Sequence, residues 1–269
     1  MAGRGWSRAD VAAVLSEPTA SDDKYSRGVV GIRTGSTRFP GAAVLGVEAA
    51  WRTGVGMVRY LGPDRAADLV LARRPETVTA PGRVQAWLIG SGTDAESRSA
   101  DETGALREIL AGGEPVVVDA GALDLAPAAA APLLVTPHGR EHAALRKRLG
   151  LADDADAVRE TAEALGAVVV RKGARTLIAA PGHDTIAIDS PTPWLATAGT
   201  GDVLAGILGA MVAGAQEHDL VALQRVAASA VWVHGRAAAR AVASHGGGPI
   251  AALDVAGHIP AVVGDALHA

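Results

Sequence analysis

The sequence predicts an α/β fold: a central, mostly parallel sheet with helices on both faces. Two observations predict it. Short β-branched runs alternate with Ala-rich helical segments, and those runs are apolar at nearly every position, as strands buried on both faces require. A third observation sharpens it. The residue after each run is small, polar or charged, which is where a parallel sheet places its ligands.

Taken in order, residues 1–27 read as a leader, with a short helix and then the polar stretch EPTASDDKYSRG. VVGIR (29–33) is the first strand, followed by a Gly/Ser turn. Pro40-Gly41 opens an Ala-rich helix to about Trp51, with proline where a helix start tolerates it. Strands follow at 55–61, 84–90, 115–121 and 133–138. A helix over about 155–165 precedes the strand at 167–173, and 176–188 reads as a hairpin around Pro181-Gly182. A long helix begins near Gly201, and a second covers about 220–243. No linker divides the chain and no fixed-period repeat appears, so a single domain is expected.

Composition narrows the function. Of 269 residues, 49% are hydrophobic and 20% charged, which suits a globular chain. A net charge of -4 argues against a partner nucleic acid or an anionic membrane. Cysteine is absent, which excludes a disulfide scaffold, a Cys-based zinc site and a thiol nucleophile. The start, MAGRGWSRADVAAVL, has no apolar signal core before Asp10, and the apolar stretch Val203 to Ala215 is too short for a bilayer. The cytoplasm is the expected location.

The common phosphate motifs are missing. Lys172 is followed by Gly173-Ala174 rather than a hydroxyl residue, so there is no Walker A loop, and GSGTDAES lacks the third glycine of the dinucleotide fingerprint. The candidate device is ATAGTGDVLAGILGAMVAGA (196–215), a glycine-rich turn feeding an apolar helix. Free amides at a helix start bind oxyanions, and Gly199, Thr200 and Gly201 form the expected anion hole. Asp202 is then poised to take a proton from a substrate hydroxyl attacking phosphorus. A plain helix cap would also place an Asp there. Arg171-Lys172-Gly173-Ala174-Arg175-Thr176 puts cations at a strand end, either for a nucleotide or as an ordinary solvated turn. In TPHGRE (136–141), His138 is a ligand contact or a core-edge histidine, and Glu141 either recruits Mg²⁺ through water or favours its helix dipole. Asp119 is a further carboxylate at the same edge.

In order, KYSRGVVGIRTGSTRFPGAAVLGVEAAWRTGVGMV, GSGT, PVVVDAGALDL, LVTPHGREHAAL, VVVRKGARTLIAAPG, WLATAGTGDVLAGILGAMVAGA and AVWVHGRAA resemble the bacterial ADP-dependent (S)-NAD(P)H-hydrate dehydratases, a branch of the ribokinase-like superfamily. The match runs from about Lys24, which sets 1–23 apart as a leader of a single domain over 1–269. The resemblance implies a ribokinase-like three-layer sandwich and a repair reaction. ADP phosphorylates the C6 hydroxyl of NADHX or NADPHX, phosphate is eliminated, and NADH or NADPH and AMP result. It implies Ala42, Gly92, His138 and Asp202 around the hydrate, with Asp202 as the base. It implies Lys172, Gly173, Ala174, Arg175, Thr176 and Gly201 around AMP, and Mg²⁺ with ADP as co-substrate. It also implies a homo-oligomer, a tetramer among the options, and a link to an NAD(P)H-hydrate epimerase expected as a separate chain. Departures are KGART, where the family has a small residue in place of Arg175, TAGTGD with Ala198 for glycine, and SGT after LIG. The alternatives are a small-alcohol kinase of the hydroxyethylthiazole type using ATP, and a non-catalytic nucleotide-binding protein. The retained Asp202 argues against the second.

Overall fold

The computed structural model describes residues 5–154 and 157–268. Eight strands form one sheet: β1 (Val29–Arg33), β2 (Met57–Tyr60), β3 (Ala86–Ile89), β4 (Val116–Val118), β5 (Leu133–Val135), β6 (Val168–Arg171), β7 (Arg175–Ala179) and β8 (Ile186–Asp189). Their spatial order is β2-β1-β3-β4-β5-β6-β7-β8. β1 to β6 pair in parallel, and β7 and β8 close the edge antiparallel. The expected hairpin is the β7–β8 pair, with Arg175 opposite Asp189 and Ile178 opposite Ile186.

The helices are α1 (Arg8–Ala12), α2 (Gly41–Thr53), α3 (Asp64–Arg73), α4 (Ala100–Leu110), α5 (Gly139–Arg148), α6 (Val158–Leu165), α7 (Thr200–Gly214), α8 (Leu220–Ser244) and α9 (Ala252–Leu267). The helix expected over 155–165 is α6. Its expected first residues, Ala155 and Asp156, lie outside the described residues, as do Met1–Arg4 of the leader.

Strand pleating explains the apolar runs. In β4, Val116 and Val118 join the core made with Leu106 and Leu110 of α4 and Leu145 of α5. Val117 points the other way, into the core of α2, α7, α8 and α9. Both faces are therefore covered, and the three-layer sandwich stands. α7 is buried around nearly its whole circumference, as a helix without a polar face must be. It meets α2 backbone to backbone: a Cβ on Gly206 would fall 2.2 Å from the Gly46 carbonyl oxygen.

Within the leader segment, α1 packs against α8 and α9. Ser7 caps α1, Val11 is fully buried, and Trp6 Nε1 donates to Ser229 Oγ of α8 at 3.1 Å. Trp6, Val11, Val14 and Leu15 join the core, whereas Ser16 to Arg27 are exposed. α9 is an element that sequence reading left unassigned, because Gly257, Pro260 and Gly264 read as breakers. Val255, Ala256, Ile259, Val262 and Ala266 fall on one helical face and pack against α8 and α2, and that burial outweighs the missing Pro260 amide.

Candidate active site

The carboxyl ends of β1, β3, β4, β5 and β6 deliver Gly35, Gly90 to Thr93, Asp119, Thr136 to His138, and Lys172 to one edge of the sheet. The centre of that edge is an ion pair. Lys172 Nζ donates to Asp119 Oδ1 at 2.6 Å. Thr136 Oγ1 donates to the same oxygen at 2.7 Å, and Ser91 Oγ donates to Oδ2 at 2.9 Å. Burial alone would push Asp119 up; the Lys172 charge and these hydrogen bonds outweigh it and hold the carboxyl below its usual range. Burial likewise works against the Lys172 ammonium, and the charges of Asp119 and Glu141 more than restore it.

α7 begins beside this pair. Gly199 takes a left-handed φ of 88°, and a Cβ there would sit 2.6 Å from Leu45 Cδ1, so its glycine serves the turn itself. Gly201 differs. A Cβ on it would meet only Lys172 Nζ at 3.7 Å, an ordinary contact, so the space it leaves belongs to a cavity rather than to packing. The Thr200 hydroxyl is spent on the Leu195 and Thr197 carbonyls, both at 2.9 Å. Val203 is the first amide to bond back along the helix, to Gly199 at 3.1 Å. The amides of Gly201 and Asp202 have no partner among the described residues, leaving two aligned donors at the positive end of the dipole.

The Asp202 carboxylate carries no hydrogen bond or ion pair among the described residues. Burial pushes its carboxyl up and the nearby Asp119 charge adds to this; Lys172 opposes both, and the balance stands at about 7. A carboxylate held there exchanges protons readily at neutral pH.

A cavity of about 970 Å³ opens on one side of this edge. It is bounded by the β6–β8 region, the loop from Ser190 to Thr197, the start of α7 and the Val231 to Arg236 stretch of α8. Of the residues expected at the site, His138, Lys172, Gly173, Ala174, Thr176, Thr200 and Gly201 line it. Arg175 does not. It alternates with buried Thr176 along β7, and its exposed guanidinium sits 3.9 Å from Asp189. Ala42 and Gly92 lie together elsewhere on the edge, where a Cβ on Gly92 would fall 2.4 Å from the Ala42 Cβ. Asp202 is not among the residues that line the cavity, although its neighbours Thr200 and Gly201 are, and a Cβ on Gly46 of α2 would fall 3.7 Å from its carbonyl oxygen.

His138 and Glu141 form the cap of α5. Glu141 N donates to His138 Nδ1 at 3.1 Å, and His138 N donates to Glu141 Oε2 at 2.7 Å. Nδ1 is thus the acceptor and Nε2 carries the hydrogen. Glu141 Oε2 also lies 4.0 Å from Lys172 Nζ. With Asp119 and Glu141 both engaged, no group of three carboxylates or imidazoles converges on a metal position among the described residues. Among the described residues the only group weighed for Mg²⁺ is thus Glu141, whose Oε2 accepts from the His138 amide. Sequence reading placed Asp119 at this edge but missed its bond to Lys172. Ser91 and Thr136, which complete its shell, gave no signal beyond their place after strands.

Comparison with known proteins yields the same outline. A family model described as NAD(P)H-hydrate dehydratase matches residues 30–260. A bifunctional NAD(P)H-hydrate repair enzyme of Mycobacterium leprae is 40% identical over 269 residues, covering 95% of this chain and 55% of that protein. The chain thus spans about half the length of the bifunctional relatives it matches. An ADP-dependent (S)-NAD(P)H-hydrate dehydratase of Neisseria meningitidis is 35% identical, covering 80% of this chain and 77% of its own. The ADP/ATP-dependent NAD(P)H-hydrate dehydratase of Bacillus subtilis, co-crystallised with ATP/Mg²⁺, superposes with a TM-score of 0.85 at 26% identity over 99% of both chains.

Proposed function

Because the chain belongs to the NAD(P)H-hydrate dehydratase family, we propose that it dehydrates (6S)-NADHX and NADPHX at the expense of ADP. The observation that carries the proposal is Asp202: a carboxyl held near neutrality beside two open amides and a lysine.

Asp202 takes the proton of the C6 hydroxyl. The freed oxygen attacks the β-phosphorus of ADP, the bond from that phosphorus to the bridging oxygen breaks, and AMP departs. The amides of Gly201 and Asp202 and the Lys172 ammonium stabilise charge on the transferred group. Phosphate is a far better leaving group than hydroxide. The C6–O bond then breaks with loss of the C5 proton, and the ring double bond of NADH or NADPH returns. Ala42, Gly92, His138 and Asp202 bound the hydrate in this proposal. Lys172, Gly173, Ala174, Thr176 and Gly201 hold AMP, with Arg175 at the rim. Mg²⁺ supplies charge neutralisation on the nucleotide, with Glu141 reaching it through water. A homo-oligomer and a functional link to an epimerase belong to the same proposal.

The test is incubation of purified protein with Mg²⁺, ADP and NADPH hydrate. The near-ultraviolet absorbance of NADPH returns, and AMP appears mole for mole. Repeating it with ATP and with NADH hydrate ranks the substrates. A small-alcohol kinase would leave the hydrate untouched, and that result would remove the proposal.

A further inference from the structure

We propose that Trp6 is part of the nucleotide site and forms the aromatic wall against the purine base. This rests on the cavity being the nucleotide site, and it deepens that reading by naming the group that recognises the base. The cavity has two unlike kinds of lining. Lys172 and the open Gly201 amide suit phosphate. Val231 and Trp232 of α8, Pro191 from the loop and Trp6 from the amino-terminal segment supply apolar and aromatic surface, with the Arg236 guanidinium over the Trp232 ring. Anion-binding groups and aromatic rings in one cavity fit a nucleotide and not a bare phosphate.

Trp6 is held there. Its Nε1 donates to Ser229 Oγ at 3.1 Å, and Ser229 is fully buried on α8, three residues before Trp232. Directly after it, Ser7 caps α1, and Val11 anchors that helix in the core. The indole is thus fixed before any ligand arrives, so a base stacking on it loses little freedom. Trp6 lies ahead of residues 30–260, the part matched by the family model. The base contact is therefore supplied by a segment that sequence reading set aside as a leader.

The experiment is isothermal titration of the full-length wild type, Trp6→Ala and Trp6→Phe with two probes, AMP and ribose 5-phosphate. Trp6→Ala should weaken AMP roughly tenfold, the scale of one base–aromatic stack, and leave ribose 5-phosphate unchanged. Trp6→Phe should stay within about threefold of the wild type for AMP, since the ring face remains. Trp6→Leu keeps an apolar anchor for α1 and gives the same discrimination if Trp6→Ala does not fold. Wild-type AMP affinity in both Trp6→Ala and Trp6→Leu would overturn the assignment, as would an equal loss for the two probes. A wild type that binds AMP but regenerates no NADPH defeats the dehydratase reading and leaves the Trp6 comparison standing. A wild type that binds no AMP defeats both.

Discussion

Glu48 on α2 and Asp202 on α7 are carboxylates on two helices packed against each other, and they titrate in opposite directions. Burial pushes both up. At Glu48, which is only 1% exposed, Arg74, Arg52 and Arg73 all reach the carboxylate and carry it down to about 2. At Asp202 the one nearby cation, Lys172, is bonded to Asp119, whose own charge adds to the upward push, and the group stands at about 7. The contrast lies in dedicated partners, not in depth. A carboxylate with its own guanidinium groups is fixed as an anion and holds α2 to α3. A carboxylate whose neighbour is already engaged keeps a mobile proton and serves chemistry.

The largest expected effect is at Asp202. Asp202→Asn should lower AMP formation by roughly 10²- to 10⁴-fold, the usual worth of a positioned base, while AMP still binds in an equilibrium titration. Normal turnover would place the base elsewhere. Glu48→Ala should act on stability instead. It leaves three cations around an empty site, and about 3 kcal/mol is lost, at the lower end for a broken buried pair because the arginines are partly solvated. Urea unfolding reads that loss, and turnover per folded molecule should not change. Lys172→Ala should weaken ADP binding by about ten- to hundredfold, as loss of a charged hydrogen bond does; an effect on hydrate affinity alone would contradict its place in the cavity.

The pH dependence sets the two regions apart again. Asp202 must be ionised to act, so kcat/KM should rise with pH and level off above about 7. Its folded pKa lies above its unfolded value of 3.8, so the folded state binds the extra proton. Its contribution to stability is greatest below that value and fades as pH rises towards 7. Glu48 has the reverse sign. Its contribution is complete above the unfolded value of 4.5 and is lost as pH falls towards 2. Stability curves of Asp202→Asn and Glu48→Ala against pH should each lose one of these slopes. The smallest effect expected is that of Arg175→Ala, within about twofold on ADP binding, because an exposed pair with Asp189 is worth little.

Much of this was legible in the sequence for local reasons. The apolar run Val116–Val118, the alternation of strand and helix, and Gly-Thr-Gly-Asp ahead of an apolar segment depend on neighbours in the chain, and the sheet, α7 and the place of Asp202 follow. The bond from Asp119 to Lys172 was not legible. It spans 53 residues and arises only when β4 and β6 flank β5 in one sheet. Arg175 was expected at AMP because the family resemblance placed the whole KGART loop there, although strand alternation beside buried Thr176 turns it outward. α9 and Trp6 were missed because tertiary packing defines both. Pro260 and the two glycines hide the helix, and nothing local ties Trp6 to Ser229, 223 residues on.

The chemistry proposed above requires Asp202 to hold its proton to near neutrality. Carbon-13 NMR titration of aspartate carboxyls, with Asp202→Asn to assign the resonance, tests it without any substrate. A midpoint close to 7 is expected for that carboxyl. A midpoint at or below about 4, the ordinary range for an aspartate, would contradict it.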